Sequence, residues 1–309
     1  MSVLSSPHFH DEKAAYAYVE ARVWPNGPVC PHCGGFDRIG LMGGKSTRIG
    51  AYKCYQCRKP FTVKIGTIFE ASHVPLRIWL QAMYLIAGSK KGISSNQLHR
   101  TLGVTLKTAW FMSHRIREAM RDGNPDMFGG TGGRVEVDET YIGYNPRVAK
   151  VAGKGGSAHK LRVVSLIDRD SGAARSMPAN SLVRDEVAQI VRANVAKEAK
   201  LTTDESRLYS AVGKEYASHD FTTHGRGEYV RGDVSTNTVE GFFSIFKRGM
   251  RGIYQHCHEN HLHRYLAEFD FRYSNRVALG YNDAVRADIL LSGIVGKRLT
   301  YQTTRGAVA

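Results

Sequence analysis

The sequence lacks any apolar run approaching the roughly 18–20 residues needed to cross a bilayer. The longest candidate, Val74 to Ala87, is interrupted by Arg77 and Gln81. That excludes a helical integral membrane protein. The first residues, Met1 to Lys13, have neither a basic start nor an apolar stretch, so no secretory signal is visible. Cysteine is scarce, five in 309 residues, which is too few for a disulfide-dense secreted scaffold. Acidic residues fall short of basic ones: 28 Asp and Glu against 43 Lys and Arg leave a formal charge of +15. Such a surplus favours polyanionic partners, nucleic acid ahead of a membrane surface. What is present, 42% hydrophobic and 23% charged residues, belongs to a globular chain of two or three domains and excludes wholesale disorder.

The charge is uneven. Residues 1–120 hold 16 basic and 6 acidic residues, whereas 121–309 hold 27 and 22. A basic front before a near-balanced back suggests a binding module followed by a different kind of domain.

Four of the five cysteines form two knuckles, Cys30-Pro-His-Cys33 and Cys54-Tyr-Gln-Cys57, with 20 residues between them. That spacing suits a four-thiolate zinc ribbon. A short gap turns both thiolates of a knuckle toward one ion, and two knuckles complete a tetrahedron with no open position. The zinc would be structural. Two disulfides are the competing use of the same cysteines, disfavoured without a secretion signal. Cys257 stands apart as an incidental thiol.

From Pro75 the periodicity is helical. Leu76, Trp79, Leu80, Met83 and Ile86 define one amphipathic helix. A short helix from Ser95, a Gly103-Val104 turn and a longer helix capped by Thr105 follow the helix-turn-helix pattern, with Ala109, Met112, Ile116 and Ala119 inward. The longer helix is expected to expose Lys107, Thr108, Arg115 and Arg117, which suit phosphates and base edges. A plain three-helix bundle with a solvated basic face fits the same pattern. Residues 122–133, rich in Gly and containing Pro125, read as a linker.

Beyond it, Arg134 to Ile142 alternates as a strand, placing Glu136 and Asp138 on one face and Glu139 on the other. Further strands are expected at Leu161 to Asp168, Ala173 to Met177 and Lys200 to Thr203, the last ending at Asp204. Helices are expected at Val183 to Ala199, Ser206 to Tyr216, Thr236 to Gly249 and Glu259 to Ser274, giving a mixed α/β layer fold. Asp138 in an apolar strand, Asp204 at a strand end and Glu240 on a Phe-rich helix can converge at one sheet edge and hold a divalent metal through hard oxygen ligands. Solvated surface acids are the alternative. On the helix, Asn237, Ser244 and Lys247 lie near the face of Glu240.

The order of zinc ribbon, small helical domain, Val-Asp-Glu-Thr-Tyr-Ile-Gly (137–143), Thr-Thr-Asp-Glu-Ser (202–206) and Asn-Thr-Val-Glu-Gly-Phe-Phe-Ser-Ile-Phe-Lys-Arg-Gly (237–249) resembles insertion-sequence transposases of the DDE type. The resemblance runs from about His8 to about Arg276 and is specific in combination. It implies a ribonuclease-H-like mixed α/β core with Asp138, Asp204 and Glu240 as catalytic acids. The 35 residues between the last two match such a core. It also implies two Mg²⁺ or Mn²⁺ ions per site beside one structural Zn²⁺. The expected activity is cleavage of double-stranded DNA at transposon inverted-repeat ends and joining of the 3′-hydroxyl to target DNA. A homo-oligomer on DNA and a bacterial, cytoplasmic, nucleoid-associated setting are expected with it. Asn237, Ser244, Lys247, Arg248 and Arg251 become DNA contacts alongside Lys107, Thr108, Arg115 and Arg117. The expected domains are 1–72 (N-terminal helix and ribbon), 73–121 (helical, DNA-binding), 122–133 (linker), 134–280 (catalytic) and 281–309 (tail). A nuclease of the same core without strand transfer and a non-enzymatic zinc-ribbon regulator are the rival readings.

Overall fold

The computed structural model describes residues 2–121, 123, 125–145 and 159–300. Most of the Gly- and Lys-rich stretch 143–160 lies outside the described residues. The chain divides into two compact units: residues 1–89, 93–121 and 282–309 form one, and residues 90–92 and 122–281 the other. Among the described residues no helix is long and apolar enough to cross a membrane.

In the first unit, α1 (Glu12–Val23) starts at Asp11, whose side chain accepts the Ala14 amide at 2.7 Å. Such a cap satisfies one of the amides a helix leaves unpaired at its start. Strands β1 (Ile39–Leu41), β2 (Tyr52–Cys54) and β3 (Pro60–Phe61) make a small antiparallel sheet carrying the second cysteine knuckle. Helix α2 (Leu76–Gly88) begins directly after Pro75. Its first amides, from Leu76 and Arg77, donate to the Glu12 carboxylate of α1 at 2.7 and 3.2 Å. Helix α3 (Ser95–Leu102) ends at Gly103, whose φ of 66° is left-handed and favours glycine. Thr105 then caps α4 (Leu106–Ala119), accepting from the Thr108 amide.

The inward residues of α4 are as expected: Ala109, Met112, Ile116 and Ala119 are all buried. Arg115 and Arg117 are not on the surface. Arg115 is 5% exposed and its guanidinium donates to the carbonyls of Ile68, Glu70 and Leu299. Arg117 is 2% exposed and donates to Ser113. The second half of α4 is surrounded, so a basic residue there must find protein acceptors in place of water. Only its first turn, with Lys107 exposed and Thr108 half-buried, stays accessible. The expected tail over 281–309 is also different. Residues 283–292 form α8 (Asp283–Ser292), packed against α2, and Ile294 accepts the Ile68 amide. The last segment therefore completes the first unit's core.

The second unit is built on a five-stranded mixed sheet of β4 (Arg134–Ile142), β5 (Leu161–Asp168), β6 (Ala174–Ala179), β7 (Lys200–Asp204) and β8 (Ser218–Thr222), ordered β6-β5-β4-β7-β8. The first three strands are antiparallel, while β7 and β8 continue parallel to β4. One face packs Val135, Val137, Val164, Leu166 and Leu201 with α5 (Arg184–Asn194). The other packs Ile142, Val163 and Ile167 with α6 (Asn237–Gly249) and α7 (Glu259–Ser274). A small hairpin, β9 (Val230–Arg231) and β10 (Val234–Ser235), precedes α6.

Two readings are corrected here. Ser206 to Tyr216 is no α-helix; only Val212–Glu215 makes a short 3₁₀ turn, and the chain then enters β8, a strand the alternation did not reveal. The stretch 122–133 is not wholly a linker. Phe128 is buried, donates its amide to Asn194 and accepts from Ala196, so the aromatic side chain anchors the segment in the core.

Candidate active site and zinc centre

Strands β4 and β7 run parallel with Glu136 opposite Thr202. Two residues further along each strand stand Asp138 and Asp204, so their proximity follows from register. Carboxylate oxygens of Asp138, Glu139 and Asp204 all lie within 4.8 Å of one another. Glu139 was expected on the opposite face. Because β7 ends at Asp204, the edge of β4 is uncovered beyond that point, and carboxylates from its two faces meet around the edge at the middle of the strand. The Glu139 carboxylate accepts the hydroxyl of fully buried Tyr209 at 2.6 Å. The Asp204 carboxylate accepts the Ser206 amide at 3.0 Å and that of Asp138 the Glu139 amide at 2.7 Å.

The cluster is electrostatically costly without a cation. Burial pushes the Asp138 carboxyl up to about 8, and the charges of Glu139, Asp204 and Glu240 add to the rise. Glu139 is also pushed up, chiefly by burial, against the Tyr209 hydrogen bond. Hard carboxylate oxygens crowded in this way are the donor set of Mg²⁺, Mn²⁺ or Ca²⁺, so the residues fit a divalent ion.

Glu240 approaches from the first turn of α6 and lies in the field of Asp138. Its carboxylate is not in the oxygen cluster. It accepts from Thr236 Oγ1 at 2.9 Å and sits 3.6 Å from His224 Nε2. The helix carrying it is held by Glu136, a residue the strand pattern only placed beside Asp138. Glu136 is fully buried; one carboxylate oxygen accepts the Val239 amide at 2.9 Å and the other the Arg169 guanidinium at 2.5 Å. Arg169 also donates to the Asp233 carbonyl and to Ser235. The Glu136 carboxylate thus ties the strand of Asp138 to the helix of Glu240 through the Val239 amide, and Arg169 neutralises it from the other side. Glu136→Gln is expected to destabilise the second unit by roughly 3 kcal/mol, as for other broken buried pairs. It should also weaken divalent-ion binding, although the side chain at position 136 lies outside the oxygen cluster; calorimetry and Mn²⁺ titration check both.

Of the residues expected along α6, Lys247 lies on the acid side. Burial lowers its pKa, as does the charge of Arg251, whereas Asp138 raises it. Asn237 is exposed, Arg248 donates to Ser244, and Arg251 is exposed in the π-helical turn Met250–Tyr254 that continues α6.

In the first unit, the four cysteine sulfurs also lie within 4.8 Å of one another. Cys30–Cys57 and Cys33–Cys54 are 3.6 and 3.7 Å apart. A disulfide needs about 2.05 Å, and a tetrahedron with metal–sulfur bonds of about 2.3 Å has edges of about 3.8 Å. The thiols fit one tetrahedral ion and not two disulfides. Cys54 is lowered to about 7, first by the Cys57 amide it accepts.

Residues 131–274 match the family model of the ISXO2-like transposase domain. That stretch is similar to an ISXO2-like transposase domain. Residues 10–60 match the transposase zinc-ribbon domain, so the ribbon and the acid cluster fall within the two matched stretches. A Halobacterium salinarum protein described as an uncharacterized protein in transposable element ISH50 is 29% identical over 278 residues, spanning 85% of this chain and 90% of its own. Likeness to solved structures is distant. The simian T-cell lymphotropic virus intasome in complex with PP2A regulatory subunit B56 gamma is 16% identical over 56% of this chain and 63% of that one, with a TM-score of 0.29. The piggyBac transposase synaptic complex with hairpin DNA is 10% identical over 92% and 77%, with a TM-score of 0.32.

Proposed function

We propose that this chain is a DNA transposase of the DDE type, with a ribonuclease-H-like core that cleaves transposon ends and joins their 3′-hydroxyls to target DNA. The observation that carries the reading is the convergence of Asp138 and Glu139, in the middle of β4, with Asp204, at the end of the parallel strand β7, and Glu240 held beside them on α6. Asp138 and Asp204 are the shared ligands of the cation site, Glu139 supports them from β4, and Glu240 closes the site from the helix. Bound Mg²⁺ or Mn²⁺ would supply Lewis-acid stabilisation and an activated oxygen nucleophile for in-line phosphoryl transfer.

The chain's own residues orient the DNA. Lys247 beside the acids, with Asn237, Ser244, Arg248 and Arg251 along the same helix and turn, face phosphates near the scissile bond. In the first unit the ribbon holds one structural Zn²⁺, and Lys107 and Thr108 at the accessible start of α4 read the inverted repeats. Helices of this type present their N-terminal residues to base edges. Arg115 and Arg117 no longer belong to that surface, because their guanidinium groups serve the fold. The protein acts as a homo-oligomer that pairs two ends of double-stranded DNA.

Strand transfer of a labelled transposon end in Mg²⁺ or Mn²⁺ tests the reading. Wild type is expected to give cut and joined products, and Asp204→Asn to give neither while still binding the end. Cutting without joining would support a nuclease, and cation-independent binding alone a regulator.

A further inference from the structure

The segment between β8 and α6 carries chemistry that the acid site does not use. Tyr229 is 56% exposed and Val230 beside it 55%. The Tyr229 ring lies 5.0 Å from that of His224, with the planes inclined by 35°. His224 is fixed from its other side: Nε2 is 3.2 Å from Thr222 Oγ1, 3.3 Å from Thr236 Oγ1 and 3.6 Å from Glu240 Oε1. A single imidazole therefore separates an exposed phenol ring from a carboxylate of the acid site.

The surroundings are open. A Cβ added at Gly227 or Gly232 would meet nothing within 4 Å, and the Tyr229 hydroxyl makes no hydrogen bond to the described residues. Charges alternate along the segment. Arg226 is exposed, Arg231 stands 3.6 Å from Glu228, and Glu205 accepts the Gly225 amide at 3.1 Å. Arg231 also donates to the Phe221 carbonyl. An exposed aromatic face backed by a second ring, with an exposed arginine such as Arg226 in the same segment, suits a stacked nucleobase and its phosphate. A flat apolar face offers nothing to a phosphate.

We propose that Tyr229, backed by His224, is a stacking shelf for one nucleobase of the DNA strand whose phosphate lies at the acids. The inference rests on the DNA-transposase reading and adds a subsite to it. Shelf and Glu240 are linked through His224, so a base seated on Tyr229 sets how far the adjoining phosphate enters the site. The base is one freed from its pair, because a paired base has both faces stacked already.

The test uses the full chain in Ca²⁺, with end-labelled duplexes taken from the DNA bordering its own reading frame. Each duplex carries one abasic site, walked across the terminal nucleotides. For wild type, one abasic position is expected to weaken binding by about 5- to 150-fold, the range of aromatic–base stacking. Tyr229→Ala should weaken binding of intact DNA to the same extent and lose its sensitivity to that position. Tyr229→Trp should keep both affinity and sensitivity. The ring is exposed, so all three proteins should melt alike. If base removal costs Tyr229→Ala as much as wild type at every position, there is no shelf, while cation-dependent end cleavage would leave the transposase reading intact. If wild type binds none of these duplexes, the DNA reading falls and the shelf with it.

Discussion

Asp138→Asn is expected to abolish end cleavage and, in the same protein, to stabilise the cation-free second unit at alkaline pH. Burial and neighbouring carboxylates push Asp138 up to about 8, far above the ordinary carboxyl value of about 3.9. Between those values the native chain holds a proton that the unfolded chain has released. Stability from this group is therefore fully present below about pH 4 and is lost as pH rises through about 8. The neutral amide of the variant imitates the protonated acid and removes that loss. Melting curves of the two proteins should coincide near pH 4 and separate by pH 9, with the variant higher. Mn²⁺ should raise the wild-type midpoint most at high pH, where it replaces the proton, and leave the variant nearly unmoved. Cleavage should fall by more than about a hundredfold, because loss of an outer-shell partner alone costs 10- to 100-fold in metal sites. Parallel melting profiles at every pH would show that Asp138 is an ordinary solvated acid.

Removing the metal from the cysteine cluster is expected to unfold residues 30–61 and leave the second unit folded. The ribbon's own core is small: Cys30, Cys54 and Phe61 are buried, with Trp24, Ile39, Tyr52 and Ile65 packed partly against them. The rings of Trp24, Tyr52 and Phe61 meet at centroid distances of 5.7 Å. Three short strands and one aromatic cluster do not offset the conformational entropy of some thirty residues. Structural zinc typically contributes about 10–16 kcal/mol of binding free energy to such modules. Chelation, or Cys54→Ser, should expose the amides of β1–β3 to rapid hydrogen exchange. Amides of β4, β5 and β7 should keep their protection. Exchange unchanged in β1–β3 would mean the strands stand without the ion.

Much of the site was legible because it depends on local pattern. The cysteine spacing placed four thiols around one point, and strand periodicity put Asp138 at an interior position of β4. Asp204 was identified as a strand-end residue, and β7 does end there. What failed depended on neighbours. Arg115 and Arg117 look like surface residues by charge, yet α4 is enclosed from Met112 onward and both side chains bond to protein acceptors. Strand β8 was hidden because its alternation is weak and Ser-Arg-Leu-Tyr-Ser-Ala before it favours helix by propensity alone. The part played by Glu139 could not come from alternation, which assigns it to the far face; it follows from the end of β7 beside it.

The sequence by itself determined the zinc ribbon, the helices around Gly103, and the strands that carry Asp138 and Asp204, since each is set by spacing and periodicity within a short stretch of chain. Only the tertiary structure decided which charges are available. It turned two arginines inward, drew residues 283–292 into the first unit, gathered Glu139 with Asp138 and Asp204, and made Glu136 the tie between β4 and α6. Those outcomes rest on burial and on partners brought together by the fold, and the cost of leaving a charge unpaired away from water selects among them.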